Sequence, residues 1–406
     1  MKVNAQIWID RHIIKHLVWL LNGLVRIVGK ILNLNHDLKR DFERVAVAKY
    51  KGMGSILQAT PLLNSLRTKY PNAEITFIST NSNKAFLETL PMIDKYIFLD
   101  DGSFFKLLLG FPKLIFQLLR QRFQVFIDLE IYSHFSSLIT TLSAAQNRFG
   151  YYMQSGKYRH GTYTHLIYFN PKASMSQVYL QMARLLHCEN INPELYNYKN
   201  LSVNSEKIKL EKPYIVINPN ASDLRLERRW PSNSFIELSN VLSQSHPDHA
   251  LIFVGAPSEA NYTTAICALS TNNKVENLAG KTSLDELIAI IKDADFMISN
   301  DTGPLHIAFA CRTPAIGLFG PISPRQFDIP KESIALYKNV YCSPCVHEFD
   351  VPPCNGNNVC MQNISVEDVL NNVEKLTDSS RNEESERRVI YQYNDEVLGV
   401  IKRTAP

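Results

Sequence analysis

The run DFMISNDTGPLHIAFACRTPAIGLFG, residues 295–320, carries the fold in miniature. DFMISN (295–300) and PAIGLFG (314–320) are short apolar runs of strand length, and a helix from about Gly303 fits between them. A strand, a helix and a second strand in close succession make a crossover unit, so the two strands lie parallel in one sheet. Ligands of such sheets collect at the carboxyl ends of the strands, and that is where Asn300, Asp301, Thr302, Gly303, Pro304 and His306 crowd together. The free N–H groups and positive end of the following helix make an anion site there. Thr302 is expected to cap the helix and to donate a hydroxyl hydrogen bond. Gly303 lets backbone approach a ligand, Pro304 suits a first helical turn, and His306 lies one turn in. The plainer alternative is a capped helix with a histidine packed by chance.

Outward from this unit the alternation continues in both directions. YIVIN (214–218) and ALIFVGA (250–256) are strands, PSNSFIELSNVL is a helix, and SLDELIAIIKDA is a helix opened by the capping pattern Ser283-x-x-Glu286. Further toward the amino terminus, VAVAKY (45–50), EITFIST (74–80), KYIFLD (95–100) and QVFIDLE (124–130) are strands. A helix with Pro61 near its start follows the first of them. An apolar, basic helix over 104–122 is expected to break near Gly110–Pro112. The polar, aperiodic stretch 192–212 reads as a linker. The expected fold class is therefore α/β: two Rossmann-like, doubly wound domains facing a cleft. The boundaries expected are 1–44 for an amphipathic N-terminal helix, 45–200 and 201–376 for the two domains, and 377–406 for a charged, flexible tail.

Composition narrows the function. The chain has 406 residues, 45% hydrophobic and 20% charged, enough for two cores. A net charge of +4 is too small to argue for nucleic acid, and none is expected as a partner. A dehydrogenase is not expected, because Gly52-Met53-Gly54-Ser55 after the first strand is not G-x-G-x-x-G. Residues 5–34 contain no run long enough to span a bilayer and no cleavage site. Arg11, Lys15, Asn22, Arg26, Lys30 and Asn33 share one side of a helix whose remaining surface is apolar and carries Trp8. Such a helix lies in a membrane interface, or else docks on its own domain or in a dimer. RLERRWP (225–231) is a basic loop after a strand, which suits phosphate. Cys342-x2-Cys345-x8-Cys354-x5-Cys360, with His347 nearby, begins with metal-knuckle spacing but does not repeat it. It admits a structural metal, a disulfide or free thiols, and no metal is expected.

Four segments carry a family resemblance. SNDTGPLHIAFACRTPAIGLFGP resembles the signature of glycosyltransferase family 9, the ADP-heptose:lipopolysaccharide heptosyltransferases. KGMGSILQATPLLNSLRTKYPNAEITFIS resembles that family's first strand, loop, helix and strand. INPNASDLRLERRWP, and QVFIDLE followed by NRFGY, resemble two further segments, so the likeness runs in order over about 45–375. It implies a GT-B fold with the nucleotide sugar held mainly by the C-terminal half. It also implies an inverting glycosyltransferase that moves a sugar, heptose from ADP-heptose, onto lipopolysaccharide core or a related glycolipid. The donor is then cytosolic and the acceptor a membrane lipid, which places the protein in the cytoplasm, peripheral on the inner membrane. No cofactor is implied. By position, Asp301, Thr302, Gly303 and His306 would hold the donor diphosphate, Arg228 would neutralise the leaving phosphate with Arg229 beside it, and Glu259 would contact the nucleoside. Ser222 is a weaker donor-site candidate. Glu259 alone would read as a helix N-terminal acid.

Two departures stand out. Asn220 replaces a usual glycine, a mild change because Asn tolerates left-handed backbone. Ser55 stands where the family carries an aspartate that takes the acceptor's proton. Serine has no useful basicity near neutral pH, so the base is expected to be Asp128 or Glu130, with Gly54 and Ser55 binding acceptor or phosphate. The rival readings are a degenerate member that binds nucleotide sugar without turnover, and a nucleotide-sugar epimerase.

Overall fold

The structure, a computed structural model, describes residues 8–32, 36–153, 159–189, 191–198, 210–221, 225–270, 274–346, 348–349, 352–377 and 389–393. The chain divides into two units, residues 1–196 and 197–406. In the first, β1 (Arg44–Ala48), β2 (Glu74–Thr80), β3 (Lys95–Leu99), β4 (Val125–Asp128), β5 (Asn147–Tyr152) and β6 (His165–Tyr168) form one parallel sheet in the order β3-β2-β1-β4-β5-β6. The chain winds outward from β1 to β3, then returns to the other side of β1 as β4. Val45–Ala48 are buried, because a central strand with helices on both faces has no wet side; this is why it reads as an unbroken apolar run. The core on one face gathers Ala46, Ala48, Phe126 and Ile139 with Leu114 and Leu118 of the helix Phe104–Gln121.

The second unit repeats the plan with β7 (Tyr214–Asn218), β8 (Ala250–Phe253), β9 (Val275–Asn277), β10 (Phe296–Asn300), β11 (Ala315–Phe319), β12 (Ile334–Asn339) and β13 (Val389–Tyr393). Their order is β13-β12-β11-β10-β7-β8-β9, all parallel. Trp230 is wholly buried in its core, its ring edge-on to Phe235 at 4.9 Å and its indole N–H donated to the Ile364 carbonyl at 2.8 Å. Both expected doubly wound halves are present. β13 lies inside the 377–406 stretch expected to be a tail; residues 378–388 and 394–406 lie outside the described residues.

One expectation needs correcting, and one open alternative is met. The helix Phe104–Gln121 runs unbroken through Pro112. Pro112 is exposed, as is Leu108 one turn earlier, so the Leu108 carbonyl that loses its partner N–H can turn to water. Of the settings expected for the N-terminal helix, docking on its own domain is present. In the helix Lys15–Leu32, Asn22 and Arg26 face the chain's own domain, where Arg26 donates to the His160 carbonyl at 2.9 Å and to Asn22 Oδ1 at 2.9 Å.

This helix docks along a narrow seam of Ile14, Val18, Leu21 and Val25, with Val18 fully buried. Just ahead of it, the Asp10 carboxylate accepts the amides of His134 (3.0 Å) and Phe135 (2.7 Å) at the start of the helix His134–Leu142. That helix needs the cover, since Ser136–Thr141 are all buried. Gly161 completes the fit: at φ +95° it favours glycine, and a Cβ there would meet Asn22 Oδ1 at 2.2 Å and Arg26 Nε at 2.4 Å. Gly161→Ala should therefore destabilise the first unit by about 1–3 kcal/mol and loosen the 15–32 helix first. Denaturant unfolding gives the first quantity, and faster amide exchange confined to 15–32 and 134–142 gives the second.

Candidate functional site

The second unit's switch point lies between β7 and β10, where chain leaving the two strands departs in opposite directions. Both strands end in asparagine. Asn218 Nδ2 donates to Ser299 Oγ at 3.0 Å and to Thr302 Oγ1 at 2.7 Å. Asn300 Oδ1 accepts the Trp230 amide at 3.0 Å, while its Nδ2 donates to the carbonyls of Pro219 (2.9 Å) and Asn220 (3.2 Å). These bonds fasten the loop after β7, the arginine loop and the Asp301–Thr302 turn to one another. Asn300 belongs to the polar crowd that the sequence places at this strand end, whereas Asn218 is not singled out there, although a polar residue ending a buried strand is there to be read.

Asp301 stands in the middle of the turn and is 2% exposed. Arg228 Nη1 lies 3.5 Å from its Oδ2 and His306 Nε2 lies 3.3 Å from its Oδ1, so one buried carboxylate orients both. Arg228 also donates to the Asp301 carbonyl at 3.4 Å. The His306 ring packs against Phe327 (4.6 Å) and Phe309 (5.9 Å), and its Nδ1 is buried with no hydrogen-bond partner among the described residues. Thr302 precedes the helix Gly303–Cys311 in extended backbone but does not cap it with its side chain, contrary to expectation. Asn218 has claimed the hydroxyl instead, and Pro304 offers no N–H. The end of the helix dipole therefore has no side-chain acceptor on it, the condition an anion site needs.

Arg229 stacks on the Tyr262 ring at 4.2 Å and donates to the Ala221 carbonyl at 3.3 Å. Glu259 Oε2 accepts the Ala256 amide at 2.8 Å, the geometry of a helix N-terminal acid. Ser222 lies outside the described residues. Nothing in the sequence points to Asn358, whose Nδ2 donates to the carbonyls of Glu227 (3.1 Å) and Arg229 (2.6 Å), bracketing Arg228. Arg225 adds a bond to the Val346 carbonyl at 3.1 Å, so the cysteine-bearing segment braces the arginine loop. Asn358→Ala should free that loop and raise KM for an anionic donor about tenfold with a smaller change in kcat, as steady-state kinetics would show.

Cys342, Cys345, Cys354 and Cys360 are all free thiols, Cys345 and Cys360 being buried. Burial and the neighbouring thiols push Cys345 up to about 11 and Cys360 up to about 12, so both are protonated at neutral pH. Among the described residues no group of three or more side chains is arranged to hold a metal; His347 lies outside them.

The first unit has its own switch point, between β1 and β4. Asp128, the last residue of β4 and one of the two carboxylates expected as the base, is wholly buried, which does not suit that role. Its Oδ2 accepts from Ser136 Oγ at 2.8 Å and from the Tyr163 hydroxyl, and its Oδ1 accepts the Glu130 amide at 2.9 Å. Burial raises its pKa, against the pull of the Arg159 guanidinium. Arg159 is itself fully buried and donates to the carbonyls of Tyr151 (3.2 Å) and Glu130 (2.8 Å). Asp128 therefore fixes the corner that presents Glu130 and has no route to a proton from outside.

Glu130 is placed differently. Its side chain keeps 16% exposure, its Oε2 pairs with Lys49 Nζ at 2.9 Å, and its Oε1 accepts the Tyr50 amide at 2.9 Å. Burial alone would raise its pKa, but Lys49 and the Tyr50 and Lys51 amides outweigh that and hold it below the usual range. It is ionised at neutral pH and clamps the loop after β1. In that loop Gly52 adopts φ +87° ahead of the helix Met53–Gln58, which carries buried Gly54 and half-buried Ser55. The Tyr50 hydroxyl and both polar atoms of the Gln58 amide are buried with no hydrogen-bond partner among the described residues. Such groups cost free energy unless water, an ion or a ligand answers them.

Comparison with known proteins supplies the family and the fold. Residues 112–354 match glycosyltransferase family 9 (heptosyltransferase). The chain is 22% identical over 353 residues to the lipopolysaccharide core heptosyltransferase OpsX of Haemophilus influenzae, covering 82% of this chain and 96% of that protein. It is 27% identical over 222 residues to the lipooligosaccharide heptosyltransferase 2 of Campylobacter jejuni, covering 52% and 68%. Among solved structures, ADP-heptose lps heptosyltransferase II of E. coli shares the fold at a TM-score of 0.64 and 22% identity, over 82% of this chain and 98% of that one.

Proposed function

The chain belongs to glycosyltransferase family 9, with the GT-B fold, and from that premise we propose that it transfers heptose from ADP-heptose, with inversion, to a lipopolysaccharide core. The observation that carries the donor half is the Arg228–Asp301–His306 cluster beside a helix end that no side chain caps. In the reaction the acceptor hydroxyl oxygen forms a bond to the anomeric carbon from the face opposite the nucleotide. The bond from that carbon to the diphosphate oxygen breaks, and ADP leaves with the electron pair. Arg228 and the helix N–H groups meet the charge that gathers on the departing diphosphate, fixed in place beforehand by Asp301 and Asn358. Arg229 and Glu259 serve the nucleotide around Tyr262, and Thr302 and Gly303 line the phosphate path.

The acceptor's proton goes to Glu130. A carboxylate with a low pKa suffices because the hydroxyl becomes acidic as its bond to carbon forms. Gly54 and Ser55 receive the acceptor near Tyr50 and Gln58. The acceptor is a membrane glycolipid and the donor a cytosolic nucleotide, so the protein works on the cytoplasmic face of the inner membrane, held by its N-terminal helix. No described helix is long and apolar enough to cross a membrane.

A thermal-shift screen against ADP-, GDP- and UDP-sugars tests the donor. ADP-heptose at a hundred times its Kd should stabilise the chain by about 2.7 kcal/mol, since a ligand that binds only the folded state raises the melting point by mass action. A shift with UDP- or GDP-sugars alone would reject the ADP-heptose assignment.

A further inference from the structure

The first unit exposes far more apolar surface than a docked helix explains. In the helix Lys15–Leu32 only the seam around Val18 is covered; Trp19 is 67% exposed, Ile31 75% and Leu24 57%. The helix Phe104–Gln121, far away in sequence, does the same with Phe105 at 74%, Leu109 at 78% and Phe116 at 66%. Soluble proteins rarely leave patches of this size bare without a partner for them.

The two helices lie over the same face of the sheet. Chain passing from β3 to β4, and from β4 to β5, moves across the sheet in the same direction, so right-handed crossovers put 104–121 and 134–142 on the same face. Phe135 joins them to the N-terminal segment: its amide is held by Asp10, and its ring meets Phe111 of the 104–121 helix at 6.1 Å. The 15–32 helix covers 134–142, and 104–121 flanks it. Their bare sides make up the outer surface on that side of the sheet.

We propose that these two helices together form a docking face for a membrane surface rich in anionic lipid, with 104–121 as an independent second anchor. The idea rests on the membrane arm of the reading above but not on its donor or its chemistry. Charge selects the occupant. Neither 15–32 nor 104–121 contains an acidic residue, while Lys15, Lys113 and Arg120 are exposed at the margins of the apolar strip. Tryptophan at such a margin suits the headgroup boundary, and cations there meet lipid phosphates. A second copy of the chain is a poor occupant, because a twofold contact through this face would set its cations against themselves.

The test uses the full chain and vesicles of phosphatidylethanolamine with phosphatidylglycerol, without donor or acceptor. The triple variant Phe105→Ser, Leu109→Ser, Phe116→Ser changes only exposed side chains and leaves 15–32 intact. It should keep its circular dichroism and melting temperature yet sediment with vesicles about tenfold more weakly, or less. Lys113→Glu with Arg120→Glu should lose binding to these vesicles while behaving like the unaltered chain on phosphatidylcholine alone. Unchanged sedimentation of the triple variant would overturn the second anchor and leave the 15–32 helix as the sole one. If the unaltered chain fails to bind vesicles at all, the docking face falls, and the transferase reading stands or falls separately on the nucleotide-sugar screen. If the chain is a dimer without lipid and the triple variant turns monomeric with vesicle binding unchanged, the face is a protein interface and the proposal is wrong.

Discussion

Arg228→Ala should lower turnover about a hundred- to a thousandfold, the range seen when one fixed group that stabilises developing charge is removed from an active site. The cause is local: Arg228 lies beside the turn that opens the uncapped helix, held 3.5 Å from the Asp301 carboxylate. Stability complicates the single variant, because it strips one partner from a carboxylate that is 2% exposed. The double variant Arg228→Ala with Asp301→Asn separates the effects. It should recover most of the lost melting temperature and none of the lost turnover. Arg228→Lys should recover little of the activity, since an ammonium is a compact point charge without the planar two-nitrogen fork that a guanidinium presents to a phosphate. Equal recovery of stability and turnover in the double variant would mean that Arg228 is structural only.

The second large effect is expected at Glu130. Glu130→Gln should reduce kcat on the order of a hundredfold while ADP-heptose binding, read by thermal shift, stays intact. The amide oxygen of glutamine can still accept the Tyr50 N–H, so the loop after β1 should hold its course, and the loss should report basicity. Ser55→Ala should be mild by comparison. Asp128→Asn should behave differently from both. It puts an amide where Ser136, Tyr163 and the Glu130 N–H all donate, and should cost folding stability before anything else. If kcat of the soluble, donor-binding Glu130→Gln variant is unchanged, the base lies elsewhere.

What the sequence reveals and what it hides follow from burial. β1, β2, β7, β8, β10 and β11 are covered on both faces and stand out as apolar runs. β9 has three residues, Val275–Asn277, none fully buried, and leaves no run to find. β5 is disguised by Arg148, whose guanidinium is buried but satisfied by the carbonyls of Thr162 and Ala145, both at 2.7 Å. Pro112 reads as a break only because exposure cannot be seen from sequence. The Asp301–Thr302–Gly303 turn was legible because a strand end, a helix start and polar residues coincide. The burial of Asp128 is hidden for the converse reason: a carboxylate at a strand end looks the same whether open to ligand or sealed by Tyr163 and Ser136. Asn358 is invisible because its role depends on contact with residues about 130 positions earlier.

The central claim is transfer, and one assay reaches it directly. The full chain is incubated with ADP-heptose and a lipopolysaccharide core acceptor that lacks heptose, and the products are read by mass spectrometry and by the anomeric signals in NMR. The account predicts that the acceptor gains one heptose for each ADP released, with the anomeric configuration opposite to that of the donor. Bound but unconsumed ADP-heptose with the native chain, together with transfer by the Ser55→Asp variant, would contradict it and show a donor-binding protein that has lost its base.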